Sequence, residues 1–166
     1  VILERLPKTA ELALLAFAWA VVFSIPIGVI SVTKKDTVLD YAITSFAVLG
    51  YCVPTFWSAL LMMLLFGVHL DWLPISGRGE THFGTSLLTA DGLRHIIIPA
   101  VSLGLVQMCM LARLTRSSML EALHVYYVNM ARAKGVKESV VIWKHALRNA
   151  SLPVCTSLGM VLSELL

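Results

Sequence analysis

Two short apolar stripes flank one glycine near the C-terminal end of this chain. Met119, Leu123, Tyr126 and Met130 recur at spacings of four, three and four, and after Gly135 the same spacing returns in Val136, Val140, Trp143 and Leu147. Each stripe marks one face of a helix. Gly135 is the natural break between them, because glycine takes the positive φ at which a chain turns out of a helix. Lys137, Lys144 and Arg148 fall on the other face of the second helix. Such residues make and break no bonds; their chemistry is recognition. A helix pair with an apolar side and a cationic side suits an anionic lipid surface or a groove in a protein partner. Nucleic acid is not an expected partner, since the basic residues come with no recognition motif.

Residues that would carry catalysis are poorly placed for it. The histidines (His69, His82, His95, His124 and His145) are scattered, without metal-ligand spacing. Cys52, Cys109 and Cys155 fall in different hydrophobic runs and read as small packing residues. There is no G-x-x-x-x-G-K-[ST], no H-E-x-x-H and no C-x-x-C. The chain is therefore expected to be no enzyme, with no catalytic residue, metal or cofactor.

The elements around the cassette belong to a membrane protein. Of 166 residues, 58% are hydrophobic and 14% charged, against about 25% charged in an ordinary soluble domain. The mean hydropathy is +0.83. No charge interrupts Leu12–Thr33, Tyr41–Val68 or Ile96–Ala112, and a spanning helix needs about 20 apolar residues. Arg113 is expected to snorkel to the headgroups and lengthen the third run. A fourth run, Asn149–Ser163, rises only about 22 Å at ~1.5 Å per residue, short of a core about 30 Å thick. The expectation is one all-α domain over 1–166, a polytopic transmembrane helical bundle with spans at about 10–33, 41–68, 95–118 and an incomplete 150–166. The chain begins with Val1 and is expected to be a fragment lacking at least one helix at each end.

Lysine and arginine placement orients the bundle. The loops 33–40 and 113–149 share a side and hold nine of the thirteen Lys and Arg, so they are expected to be cytoplasmic and the 69–95 connection external. Trp72 is expected at the outer interface. Each complete run contains a proline, Pro26, Pro54 or Pro99, which fits ordinary membrane-helix composition or kinked helices around a path that opens and closes. No ionisable group lies in the middle of a run, which argues against proton coupling or voltage sensing. Candidates to line a path are Tyr51, Trp57, Ser58, Ser102 and Gln107; Gln107 also suits a helix–helix hydrogen bond.

The motifs narrow this further. A-R-A-K-G at 131–135, H-A-L-R-N-A at 145–150 and Pro153 resemble the cytoplasmic signature of binding-protein-dependent ABC importer permeases. T-R-S-S-M-L-E at 115–121, L-P-K-T-A-E-L at 6–12, I-P-I-G-V at 25–29, V-P-T-F-W at 53–57 and W-L-P-I-S-G at 72–77 are similar to the dipeptide, oligopeptide and nickel branch of that family. Gly135 takes the glycine of the family's E-A-A, three residues, G pattern; Ala131 matches its last alanine, while Asn129 and Met130 depart from it. The resemblance implies that 119–149 is a coupling loop whose short helix docks on a separate ATPase subunit. It implies an ATP-driven importer of peptides or a related solute in the cytoplasmic (inner) membrane of a bacterium or archaeon. Its partners would be a second, homologous permease, two cytoplasmic ATPase subunits and an extracytoplasmic solute-binding protein, besides membrane lipid. The coupling residues it implies are Ala131, Arg132, Lys134, Gly135, Val140, Trp143, His145, Leu147, Arg148 and Asn149. Val136, Val140, Trp143 and Leu147 would form the docking ridge or pack on the membrane helices. Arg132, Lys134, Lys137 and Arg148 would steer toward an acidic surface, and His145 and Asn149 would brace the helix. The alternative is a membrane enzyme or scaffold whose basic loop rests on anionic lipid.

Overall fold

The computed structural model of the chain describes residues 2–77, 79 and 89–165, and they are mainly helical, without a strand among them. Helix α1 (Ile2–Thr33) and helix α4 (Ala90–Leu123) are the two long elements. Both are apolar enough to cross a membrane. Between them lie α2 (Val38–Cys52), α3 (Thr55–Met62) and a π-helical segment (Met63–His69). After α4 come α5 (Tyr126–Ala133) and α6 (Glu138–Val140), then a second π-helical segment (Val141–Ala146) that runs straight into α7 (Leu147–Leu165). Residues 78 and 80–88 of the 69–95 connection, including Arg78 and His82, lie outside the described residues.

The α1–α4 pair is the spine, and small residues make it. Ala13, Ala16, Ala20, Ser24, Gly28 and Ser31 recur every third or fourth position along α1, and Ala13, Ala16, Ala20, Ser24 and Ser31 are all buried. In lipid, helices associate through close packing instead of water exclusion, so small residues mark the contact. The approach is reciprocal. A Cβ on Gly28 would sit 2.6 Å from Thr115 Cβ and 2.8 Å from the Ala112 carbonyl oxygen; one on Gly104 would strike Trp19 and the Ala16 carbonyl.

Where the sequence predicts one span over 41–68, the chain bends by 106°. Val53 and Pro54 are both extended (ψ 126° and 137°). Proline disfavours the helical region for the residue before it and has no N–H to continue the ladder. The Pro54 carbonyl instead starts the next helix, accepting from the Trp57 and Ser58 amides at 3.0 and 3.1 Å. Pro26 and Pro99 stay inside α1 and α4, because those helices are zipped together along their length. Helix α2 buries only Asp40, Ala47 and Gly50, and α3 only Ser58, so sparser packing holds them against the proline.

Beyond α3 the chain doubles back. Trp72 and Leu73 amides both donate to the Phe66 carbonyl, at 2.9 and 3.1 Å, and the exposed Trp72 ring lies 6.1 Å from that of Phe66. An apolar cavity of about 600 Å³ opens between α1, α2, α4 and this turn, lined by Trp19, Phe23, Phe46, Phe66 and Trp72 among others.

Candidate functional site

The predicted helix–turn–helix is present, but its first stripe is divided between two helices. Helix α4 continues to Leu123, and α5 starts only at Tyr126, after an extended Val125 (ψ 142°). Met119 is fully buried, whereas Tyr126 and Met130 are exposed. A stripe read at 3.6-residue period assumes an unbroken helix, and the break at 124–125 rotates the later residues away.

Gly135 ends α5 as expected, with φ +78°. Its amide donates to the Arg132 carbonyl at 2.9 Å, and the Val136 amide to the Ala131 carbonyl at 3.2 Å. This is the Schellman closure, which satisfies two carbonyls the helix end leaves open. Ala131 thus serves through its backbone. Across the same turn Arg132 grips Glu138 with two prongs, Nε to Oε2 at 3.1 Å and Nη2 to Oε1 at 2.7 Å. The bridge lowers the Glu138 carboxyl below its ordinary range and raises the Arg132 guanidinium. The charge of Arg132 is therefore spent inside the turn. Lys134, Lys137, Lys144 and Arg148 make no ion pair among the described residues.

The second stripe is also split, and for a physical reason. In the π-helical segment the Leu147 amide reaches back to the Ile142 carbonyl, five residues instead of four, and the wider turn shifts everything after it. Val141, Ala146 and Ala150 are buried. Ile142 and Leu147 pack with Ala146 and Ala150 against Val29, Val32, Met119 and Ala122. Val140 and Trp143 point outward, 38% and 51% exposed. Of the four predicted ridge residues, Leu147 belongs to the membrane-helix packing and Val140 and Trp143 form a free apolar edge.

Beside that edge is a concavity of about 380 Å³ lined by Tyr127, Lys144, His145, Arg148, Asn149 and Leu152. Its floor is tied by Tyr127, whose hydroxyl donates to the His145 carbonyl at 3.0 Å. This contact engages His145 through its backbone carbonyl, from a tyrosine not among the expected coupling residues. Sequence reading also missed the pairing of Asp40 with Arg116. Seventy-six residues separate them, and no local signal joins them.

The five path candidates are not gathered in one place. Ser58 and Ser102 are buried, and their hydroxyls donate to carbonyls in their own helices, Thr55 at 2.8 Å and Pro99 at 3.0 Å. Gln107 is buried at the α4 interface, while Tyr51 and Trp57 are exposed. None of the five lines the large apolar cavity. The Arg113 guanidinium sits 5.4 Å from the Tyr51 ring centroid, an attractive cation–π geometry. Helical side chains lean toward the N-terminus, so Arg113 reaches back along α4 to meet that ring.

Residues 24–166 match the family described as the binding-protein-dependent transport system inner membrane component. Similar proteins include the di/tripeptide transport system permease protein DppB of Pseudomonas aeruginosa, 37% identical over 99% of this chain and 54% of the relative. The oligopeptide transport system permease protein AppB of Bacillus subtilis is 41% identical over 97% of this chain and 50% of the relative. A putative peptide transport system permease protein of Brucella suis is 44% identical over 99% of this chain and 51% of the relative. The chain spans about half the length of these curated relatives.

Proposed function

The chain belongs to the family of inner membrane components of binding-protein-dependent transport systems, and from that premise we propose that it is the permease part of an ATP-driven peptide importer. Helices α1 to α4 and α7 are its membrane part, and the cassette from Val125 to Asn149 is its docking element for a cytoplasmic ATPase subunit. The relatives' names support peptides as the solute. ATP hydrolysis belongs to the partner. A second permease, a second ATPase subunit and an external solute-binding protein complete the assembly. The loops 33–40 and 113–149 face the cytoplasm and 69–95 faces outward; the positive-inside bias supports this orientation.

The observation that carries the docking reading is the Val140–Trp143 edge. Two apolar side chains stand free beside Lys144 and Arg148, on a helix whose other face is locked into the membrane helices. A buried aromatic anchor with flanking charges is the usual composition of an interface hot spot. The cations steer the encounter and Trp143 supplies contact area.

Co-purification tests it. Full-length protein, intact and with Trp143→Glu, is isolated in detergent and examined for an accompanying ATPase subunit. The intact protein is expected to bring the subunit, and the folded variant to lose it. An intact protein that brings no ATPase, but binds anionic vesicles in a Trp143-dependent way, would favour the lipid-resting alternative.

A further inference from the structure

The corner between α1 and α2 is fastened to α4 by a cluster that docking does not use. Asp40, 2% exposed, stands in the first turn of α2. Its carboxylate accepts from Arg116 Nε at 2.9 Å and Nη2 at 2.8 Å, from the Ser31 hydroxyl, and from the Asp36 amide at 3.2 Å. Arg116 Nε also lies 3.0 Å from Ser31 Oγ. The last turn of α1, the left-handed turn at Asp36 (φ 62°), the start of α2 and α4 therefore meet on one carboxylate. Two-pronged guanidinium–carboxylate contact fixes orientation as well as distance.

Its place in the fold gives this cluster a mechanical meaning. Within two turns further along α4, Met119 and Ala122 are buried against Ala146 and Ala150, the seat of the cassette. Helix α2 offers little else to hold: besides Asp40, only Ala47 and Gly50 are buried. A displacement arriving at the cassette reaches α4 through close packing, but it reaches α2 at this end chiefly through one ion pair.

We propose that Asp40 and Arg116 are positioning residues for transport, clamping the α1–α2 corner to α4 so that movement at the cassette is passed to α2 and to its break at Pro54. This rests on the cassette being the ATPase-docking element.

The test uses the full-length protein assembled with its partner subunits in proteoliposomes, and reads peptide imported per ATP hydrolysed. Removing one partner alone strands a buried charge, so the informative variant is the double Asp40→Asn/Arg116→Gln, which removes both charges and keeps similar shapes. It is expected to retain the ATPase subunit and to lower import per ATP about tenfold. Arg116→Lys keeps the charge but loses the two-pronged grip, and is expected to fall between it and the unmodified protein; it also serves if the double variant does not assemble. An unchanged ratio in the assembled variants overturns the proposal. So does loss of the ATPase subunit from Arg116→Lys, because the pair would then act on docking. An unmodified protein that takes no ATPase subunit defeats the docking reading first, and is told apart by failing before any substitution.

Discussion

Tyr127 and His145 are joined by a hydrogen bond from phenol to main-chain carbonyl, 3.0 Å long, and through it α5 is moored to the helix that carries Trp143. Tyr127→Phe keeps the ring and deletes the donor. One net hydrogen bond is worth about 1 kcal/mol. Amide exchange over α5 is expected to speed up several-fold while α4 is unaffected. Unchanged exchange in α5 would show that the mooring comes from the buried Val128 instead.

Gly135 has open space around it, with nothing within 4 Å of an added Cβ. The cost of substitution is therefore backbone conformation alone. Gly135→Ala is expected to destabilise the turn by about 1 kcal/mol, and Gly135→Asn by less, since asparagine tolerates the left-handed region. Limited proteolysis between 133 and 138 reads the difference. Equal sensitivity of the two variants would contradict the conformational explanation.

Gly28 and Gly104 present the opposite case, with the neighbouring helix already in contact. Gly28→Val or Gly104→Val is expected to force α1 and α4 apart and to lower folded yield in detergent severely, by overpacking of about 1–3 kcal/mol or more. Gly159, with open space around it, is the control: Gly159→Ala leaves yield unchanged. Normal yield from both interface variants would show that the α1–α4 spacing is not set by these glycines.

The Arg132–Glu138 bridge makes the turn pH-sensitive with a definite sign. The Glu138 carboxyl is lowered in the folded state, mainly by its hydrogen bond from Arg132. Its stabilisation is therefore present above the ordinary carboxylate pKa and is lost as pH falls through the lowered value. Both partners are partly exposed, so the effect is at most about 1 kcal/mol and shrinks with salt. Exchange protection of the Gly135 and Val136 amides is expected to fall on acidification, and Glu138→Gln to abolish that dependence. An identical pH profile in Glu138→Gln would remove the bridge as the cause.

Much of the protein was legible in its residues alone. Long uncharged runs require helices that lipid can cover, because a backbone without water must satisfy itself internally. A glycine between two periodic stripes requires a turn, and Gly135 makes it by the backbone conformation that only glycine adopts readily. These are local or compositional facts. What only the tertiary structure decided depends on neighbours. Pro26, Pro54 and Pro99 look alike in sequence, yet the helix breaks only at Pro54, where packing is too sparse to override the proline. Val140, Trp143 and Leu147 share one stripe, yet a five-residue hydrogen-bond step turns Leu147 inward and leaves the other two free. Asp40 and Arg116 are unrelated charges until the fold of α1 on α4 brings the corner to the arginine. Periodicity reports which face a straight helix would bury; bends, wide turns and long-range ion pairs are set by competition between that preference and the contacts available.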